Sequence, residues 1–387
     1  MNNRPSTRFL FVSSNTTPWG GSEELWSAAA AELARKGRRV SVLKANVNRD
    51  EPRIRRLIEL HCRISDLDQL RIFSRFPRLR RAASMFITAQ RLAQLTLEMK
   101  LFNPGLVVVS QGMNFDGLHY ANACRRMKKP YVLIAQKAGD VYWPDDSVRA
   151  RMRKVYSAAE ACYFVSEHNR RLTEEQLGFE LPHARVVRNP FLVPWERRSD
   201  WPSAEEGLRL ACVGRLFPAE KGQDLLLRVL AREKWRSRPL SVTLYGSGHH
   251  RVGLEKMTSY FGLTSVRFAG FVDDVPSIWN DHHGLILASR CEGLPLVLVE
   301  AMLSGRVAVT TNAGGSGEIL EDGLTGFLAA AATEDAVDEA LERAWQRRGE
   351  WRAIGAAAAD AVRELVPPDP AEVFAGVLRA VVQEIEN

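Results

Sequence analysis

No stretch of this sequence approaches the ~18–20 uninterrupted apolar residues of a membrane-spanning helix, which excludes an integral helical membrane protein. Near the N-terminus only Phe9–Val12 is apolar, and no small-residue cleavage site follows, so no secretory signal is expected. Cysteine is scarce: five in 387 residues, scattered and without a CxxC pair. That scarcity excludes a disulfide framework, argues against a zinc site and predicts reduced thiols in a cytoplasmic protein. Solenoid-period repeats and low-complexity tracts are absent as well. With 45% hydrophobic and 26% charged residues the chain is neither disordered nor collagen-like. Its length suits two domains of roughly 150–200 residues each.

The net charge of +7 conceals an asymmetry. Residues 1–190 carry 32 Lys and Arg against 18 Asp and Glu, a balance of +14, whereas the remainder carries 21 against 28, or −7. Only one half is therefore expected to meet an anionic partner. The first half alternates strands (RFLFVSS, RRVSVLKA, LVVVSQG, PYVLIAQ, ACYFVSE) with helices, the first of them SEELWSAAAAELARKG with Ser22 as its N-cap. The strands are unalternating and apolar, as in a parallel sheet covered on both faces. A second series begins at LRLACVGRL and continues through LSVTLYGSG, VRFAGFV, GLILAS and RVAVTT. Two βαβ series predict an α/β protein of two doubly wound domains. The boundaries expected are 1–193, a linker at 194–207, 208–366, and a C-terminal helix within 367–387 after the PPDP break.

Three strand-to-helix turns of the second half carry the chemistry, because open parallel sheets bind ligands at the carboxyl ends of their strands. In Val213–Gly222 a strand delivers Arg215 and Lys221 opens the next helix. Cations are not needed at a helix N-terminus for stability, so two of them there point to a di-anion such as pyrophosphate. In SRCEGLPLVLVEAM, Glu292 lies at the tip of a strand and Glu300 within an apolar helix. A buried carboxylate requires hydrogen-bond donors, and vicinal ribose hydroxyls would supply two. The glycine-rich turn Thr310–Ile319 either approaches a ligand or is simply tight.

These three motifs, in this order and spacing, resemble the donor-binding domain of GT-B glycosyltransferases, specifically glycosyltransferase family 4: G-R-L…K-G, the E-x7-E pair, and T-x-x-G-G-x-x-E-I-L-x-D-G-x-T-G-F. The likeness is strong over residues 208–330. Before residue 190 it rests on fold pattern and the Gly20-Gly21 turn after the first strand. The resemblance implies two Rossmann-like domains with an active site in the cleft between them, and a last helix crossing back to the first domain. It implies retention of anomeric configuration, with a nucleotide-diphosphate sugar as donor and no metal or other cofactor. Arg215 and Lys221 would then hold the diphosphate. Glu292, helped by backbone N–H groups of Gly293, Leu294 and Pro295, would hold the transferred sugar, and Glu300 the ribose. Backbone at Phe271 and Val272 would line the base, and Gly20 and Gly21 would face the donor. On the acceptor side, Gln136 occupies the position where relatives carry a histidine, with His119 and Asp140 as further candidates.

Other signals carry less. Asp66-Leu67-Asp68 forms a DxD in what reads as a charged loop outside any strand end, and no metal is expected there. His249-His250 and His282-His283 lack metal-ligand spacing. Tyr245–Arg251 resembles a dinucleotide fingerprint but has Arg251 in place of its third glycine, which speaks against a dehydrogenase. The segment 71–91 holds six arginines and no acid among apolar residues. It is either a patch for an anionic membrane, making the protein peripheral on the inner face, or the solvated side of a packed helix. No nucleic-acid module accompanies it. A non-catalytic nucleotide-sugar-binding subunit is the alternative to an enzyme.

Overall fold

Apolar runs such as Val107–Val109 and Val132–Ile134 offer water no polar face, and every one of these side chains is buried. The computed structural model describes residues 7–68, 80–196, 200–205 and 207–387. Its strands form two parallel sheets. The first comprises β1 (Arg8–Ser13), β2 (Arg39–Lys44), β3 (Arg63–Asp66), β4 (Leu106–Gln111), β5 (Tyr131–Ala135), β6 (Ala161–Phe164) and β7 (Ala184–Val186), in the order β3-β2-β1-β4-β5-β6-β7. The second comprises β8 (Leu208–Val213), β9 (Leu240–Tyr245), β10 (Val266–Gly270), β11 (Gly284–Leu287), β12 (Val307–Thr311) and β13 (Phe327–Ala329), in the order β10-β9-β8-β11-β12-β13.

Alternate residues of β1 serve opposite faces. Phe9 and Phe11 pack with Leu25, Trp26 and Phe374, while Leu10 and Val12 pack with Met99, Tyr120 and Met152. The chain divides into two compact units, the first made of Met1–Ala138, Tyr142–Pro190 and Asp369–Asn387, the second of Phe191–Pro368 with Gly139–Val141. The division thus falls at Pro190/Phe191 rather than at 193/194. The last helix, Pro370–Glu386, lies against Glu24–Arg35 in the first unit, with Phe374 edge-on to Tyr163 at 5.1 Å. Residues 197–199 and 206 of the expected linker lie outside the described residues. Its Asp200 and Trp201 are fixed to the second unit by buried Arg306, which donates to the Asp200 carbonyl and lies over the Trp201 ring.

Two local expectations are corrected. Ser22 is not an N-cap: its hydroxyl accepts from the Asn15 amide, and a 3-10 turn, Gly21–Glu23, leads into the helix. The DxD is not outside a strand end, for Asp66 terminates β3. Its carboxylate accepts from the amides of Asn46, Val47 and Asp68, and Asp68 pairs with Arg91. Both acids are engaged in holding the chain after β2 and β3.

Candidate functional site

In the second sheet the strand order reverses between β8 and β11. Such a reversal opens a crevice beyond the strands' carboxyl ends, where doubly wound sheets bind ligands. The loops after β8 and β11 meet there. After β8 the chain makes one turn, Pro218–Lys221, then Gly222 swings it into the helix Gln223–Leu230. Lys221 therefore ends a short turn instead of opening the long helix. The physical reason is Gly222, whose φ of +62° breaks the helix and whose missing side chain lets the backbone rest on the Ala288 carbonyl.

That break aims Lys221 at Glu292. Its Nζ donates to both carboxylate oxygens at 2.7 Å, and the Ser289 hydroxyl donates to Oε1 at 2.8 Å. Glu292 is only 6% exposed, a burial these charge-assisted bonds make tolerable. Arg215 stands on the same loop with its side chain 54% exposed, steadied by Glu220 at 3.2 Å and by the face of Phe217. Its remaining donors face solvent, where an anion can reach them. Glu220 also ties the two loops together, since its carbonyl accepts from the Arg290 and Cys291 amides. Arg290 in turn grips Asp224 and the Pro218 carbonyl. Beneath the pair, burial pushes the Cys212 thiol up to about 12, which leaves it inert.

The glycine-rich turn proves to be a brace. Gly314 has φ +56° and would drive a Cβ into the Glu292 and Gly293 carbonyls, and the Gly315 amide donates to Gly293 at 2.7 Å. The expected trio of amide donors is corrected to two, because Pro295, the N-cap of helix Leu296–Leu303, has no N–H. Glu300 is 4% exposed in that helix, and its Oε1 accepts from the Leu192 amide at 3.0 Å. Phe271 and Val272 follow β10, with Phe271 exposed. The fingerprint-like Gly246 and Gly248 are taken up by packing: the Gly214 and Leu216 amides donate to Tyr245 and Ser247, and Gly246 donates to Gly270. Thus the loops after β10, β9, β8, β11 and β12 form one bonded shelf. Among the described residues no three His, Cys, Asp or Glu side chains are grouped as a metal set. His282 and His283 are buried, with their Nδ1 atoms on the Ile278 carbonyl and the Arg209 amide.

In the first unit, Gly20 and Gly21 follow β1 at the start of a helix. The acids beside them turn inward, Glu23 to Lys44 and Glu24 to Arg53 and the Trp19 indole. Gln136 follows β5, buried, its Oε1 accepting from Asn189 at 2.9 Å. His119 stands near Arg91 and Arg151, and burial first, then those charges, holds its imidazole down at about 4. It is neutral at pH 7. Asp140 is exposed in the loop after β5. Of the basic stretch, residues 71–79 lie outside the described residues, while 80–91 begin the helix Arg80–Phe102.

Residues 207–347 match the family model described as Glycosyl transferases group 1. Among solved structures, HepE of Anabaena with UDP and glucose superposes with a TM-score of 0.76 at 17% identity, covering 97% of this chain and 99% of that one. Sucrose-phosphate synthase of Thermosynechococcus elongatus gives 0.79 at 16%, covering 98% and 100%. The fold is GT-B. The stretch that matches the family model lies within the second unit. A curated relative is the GDP-mannose-dependent alpha-(1-6)-phosphatidylinositol monomannoside mannosyltransferase of Mycobacterium tuberculosis, 28% identical over 251 residues. That match covers 58% of this chain, and this chain spans 63% of that relative and 55% of its Mycolicibacterium smegmatis counterpart.

Sequence reasoning passed over Glu220, Ser289, Asp224 and Arg290, which shape this GT-B crevice. Ser289 was findable, since it opens the SRCEG motif. The Arg290–Asp224 clamp was not, because 66 residues separate its partners and neither lies in an unusual setting.

Proposed function

We propose that this protein is a retaining family 4 glycosyltransferase that moves a hexose from a nucleotide-diphosphate sugar to an acceptor without a metal or other cofactor. The observation that carries the reading is the Lys221–Glu292 pair, bonded at 2.7 Å in the crevice where the second sheet reverses. The names of the relatives support it: one depends on GDP-mannose, and HepE was solved with UDP and glucose. In this reading Arg215 and Lys221 hold the diphosphate, and Glu292 with the Gly293 and Leu294 amides orients the sugar. Glu300 meets the ribose, and the backbone at Phe271 and Val272 meets the base. Gln136, neutral His119 and Asp140 serve the acceptor side. The anomeric C–O bond to phosphate breaks as the acceptor oxygen bonds on the same face, and the acceptor proton passes to the departing phosphate oxygen. Cations at the phosphate therefore matter more than a protein base.

The acceptor proposed is a lipid-linked or cell-surface glycan intermediate or a small molecule, a lipid-linked one being reached with the basic stretch 71–91 lying on an anionic membrane. The helix Arg80–Phe102, in which 80–91 of that stretch lie, exposes Phe86, Ile87, Leu97 and Leu101. Each cation near such a surface contributes on the order of 1 kcal/mol. Among the described residues no helix is long and apolar enough to cross a membrane.

The test is a thermal-shift panel of UDP-, GDP-, ADP- and TDP-sugars with NAD(H) as control, followed by assay for released or transferred sugar with and without EDTA. One nucleotide-sugar should stabilise the protein and be turned over in EDTA. Stabilisation by NAD(H) alone overturns the reading; stabilisation by a nucleotide-sugar with no sugar released makes the protein a binding subunit.

A further inference from the structure

The first sheet has its own reversal, between β1 and β4, so the loops after those strands also flank a crevice. The loop after β1, Ser14–Gly21, is underpinned by a side chain of an unusual kind. Lys44, the last residue of β2, is 0% exposed. Its Nζ donates to the Thr17 carbonyl at 2.7 Å and, more loosely, to those of Ala45 at 3.3 Å and Asn15 at 3.4 Å. It also stands 3.4 Å from Glu23 Oε2, in a carboxylate that is likewise 0% exposed and whose Oε1 accepts from the Ser13 hydroxyl at 2.9 Å. A second pin lies next to the first: the Trp19 indole donates to Glu24 at 2.8 Å and packs against Trp26.

Burying an ammonium and a carboxylate together is a poor way to gain stability, because desolvation offsets most of the attraction and an apolar pair of equal volume serves as well or better. What the ammonium alone can do is accept no bond and draw several carbonyls toward one point. In a trans peptide the C=O and N–H point opposite ways. Drawing the Asn15 carbonyl inward therefore turns the Thr16 amide outward. The amides of Gly21 and Ser22, at the start of the helical turn, have no acceptor within the helix either. Ser14, Asn15 and Thr17 use their amides within the protein and Pro18 has none, so the loop, held from below by the Asn15 and Thr17 carbonyls, has the amides of Thr16, Trp19, Gly20 and Gly21 left to offer.

We propose that Lys44, paired with Glu23, is a positioning residue that holds the Ser14–Gly21 loop in the shape that presents its amides to the anionic group of the donor. The proposal rests on the glycosyltransferase reading for the identity of that anion, and on nothing but this structure for the positioning.

Two measurements on Lys44→Met, which keeps most of the stem and removes the charge, separate the parts. Hydrogen exchange of the ligand-free protein should show the bonded amides of Asn15, Thr17 and Glu23, held by Ser13 Oγ, Asn15 Oδ1 and the Gly20 carbonyl, exchanging roughly tenfold faster or more than in the wild type, with the rest of β1 and β2 unchanged. Titration with the nucleotide-sugar selected by the wild type should show the donor Kd and KM raised roughly tenfold or more, and Lys44→Arg should restore part of both. A lower melting temperature with unchanged loop exchange and unchanged donor Kd makes the pair merely structural and overturns the proposal. Faster exchange with unchanged Kd overturns the link to the donor. If Lys44→Met does not fold, Glu23→Gln, which keeps the acceptor oxygen, should give the same changes in smaller measure, and none would overturn the proposal. Should the wild type bind no nucleotide-sugar, the functional reading fails and the donor clause with it, while the exchange comparison still decides the positioning.

Discussion

A single ammonium group, that of Lys221, joins the loops after β8 and β11. Two of the three Lys221 donors are engaged by Glu292, which fixes where the third can point. If the proposed glycosyl transfer is this protein's reaction, Lys221→Ala should lower kcat by roughly tenfold or more, because it would remove a cation acting on charge that develops as phosphate leaves. Steady-state kinetics with saturating donor reads this directly, and a change confined to KM would contradict the role. Histidines make a separate prediction at this scale. Burial holds His283 at about 4, against 6.5 for the free group. Between those values the unfolded chain binds the extra proton, so His283 contributes stability that is present above about pH 6.5 and lost as pH falls toward 4. Glu23 and Glu24, raised by burial, act in the opposite sense. His283→Asn keeps a group that can accept from the Arg209 amide, and urea midpoints measured from pH 7 to 4.5 should fall less steeply in that variant than in the wild type.

Elements meet at the carboxyl edge through backbone as well as side chains, and glycine makes the backbone contacts possible. Gly222→Ala must place a methyl group in the Ala288 carbonyl from a left-handed backbone, so a loss of roughly 3 kcal/mol or more is expected in urea unfolding. Gly253, inside the helix Arg251–Tyr260 with open space where a Cβ would go, is the contrasting case. Gly253→Ala should stabilise by about 0.5–1 kcal/mol. The long apolar strands were legible from pattern alone. The strands β3, β7 and β13 were not, for β7 and β13 have only three residues each and β3 mixes charge with its apolar side chain. For the same reason the DxD was placed in a loop. Ser22 was misjudged as a cap because its local sequence is right, while Asn15, seven residues earlier, claims the hydroxyl.

At the scale of the whole molecule, the chain returns to its beginning. The final helix buries Phe374, Ala375, Leu378 and Val382 in the first unit, 200 or more residues from most of that unit's sequence. Deleting Asp369–Asn387 should lower the first unit's calorimetric transition by about 10 °C or more and leave the second unit's nearly in place. One shared, equally lowered transition would show instead that the units unfold together.

Strand periodicity, the glycine spacing and the Glu292–Glu300 interval are covalent facts, and they were enough to determine two doubly wound sheets and the turns that carry charge. They act over a few residues, where hydrophobic patterning and backbone sterics leave few alternatives. Tertiary structure alone decided that Lys221 meets Glu292 across 71 residues, that Gly314 braces that carboxylate's loop, and that Lys44 lies sealed beneath the Ser14–Gly21 turn. Those pairings depend on which strands become neighbours, and strand order is set by the burial of whole faces rather than by any local stretch of chain.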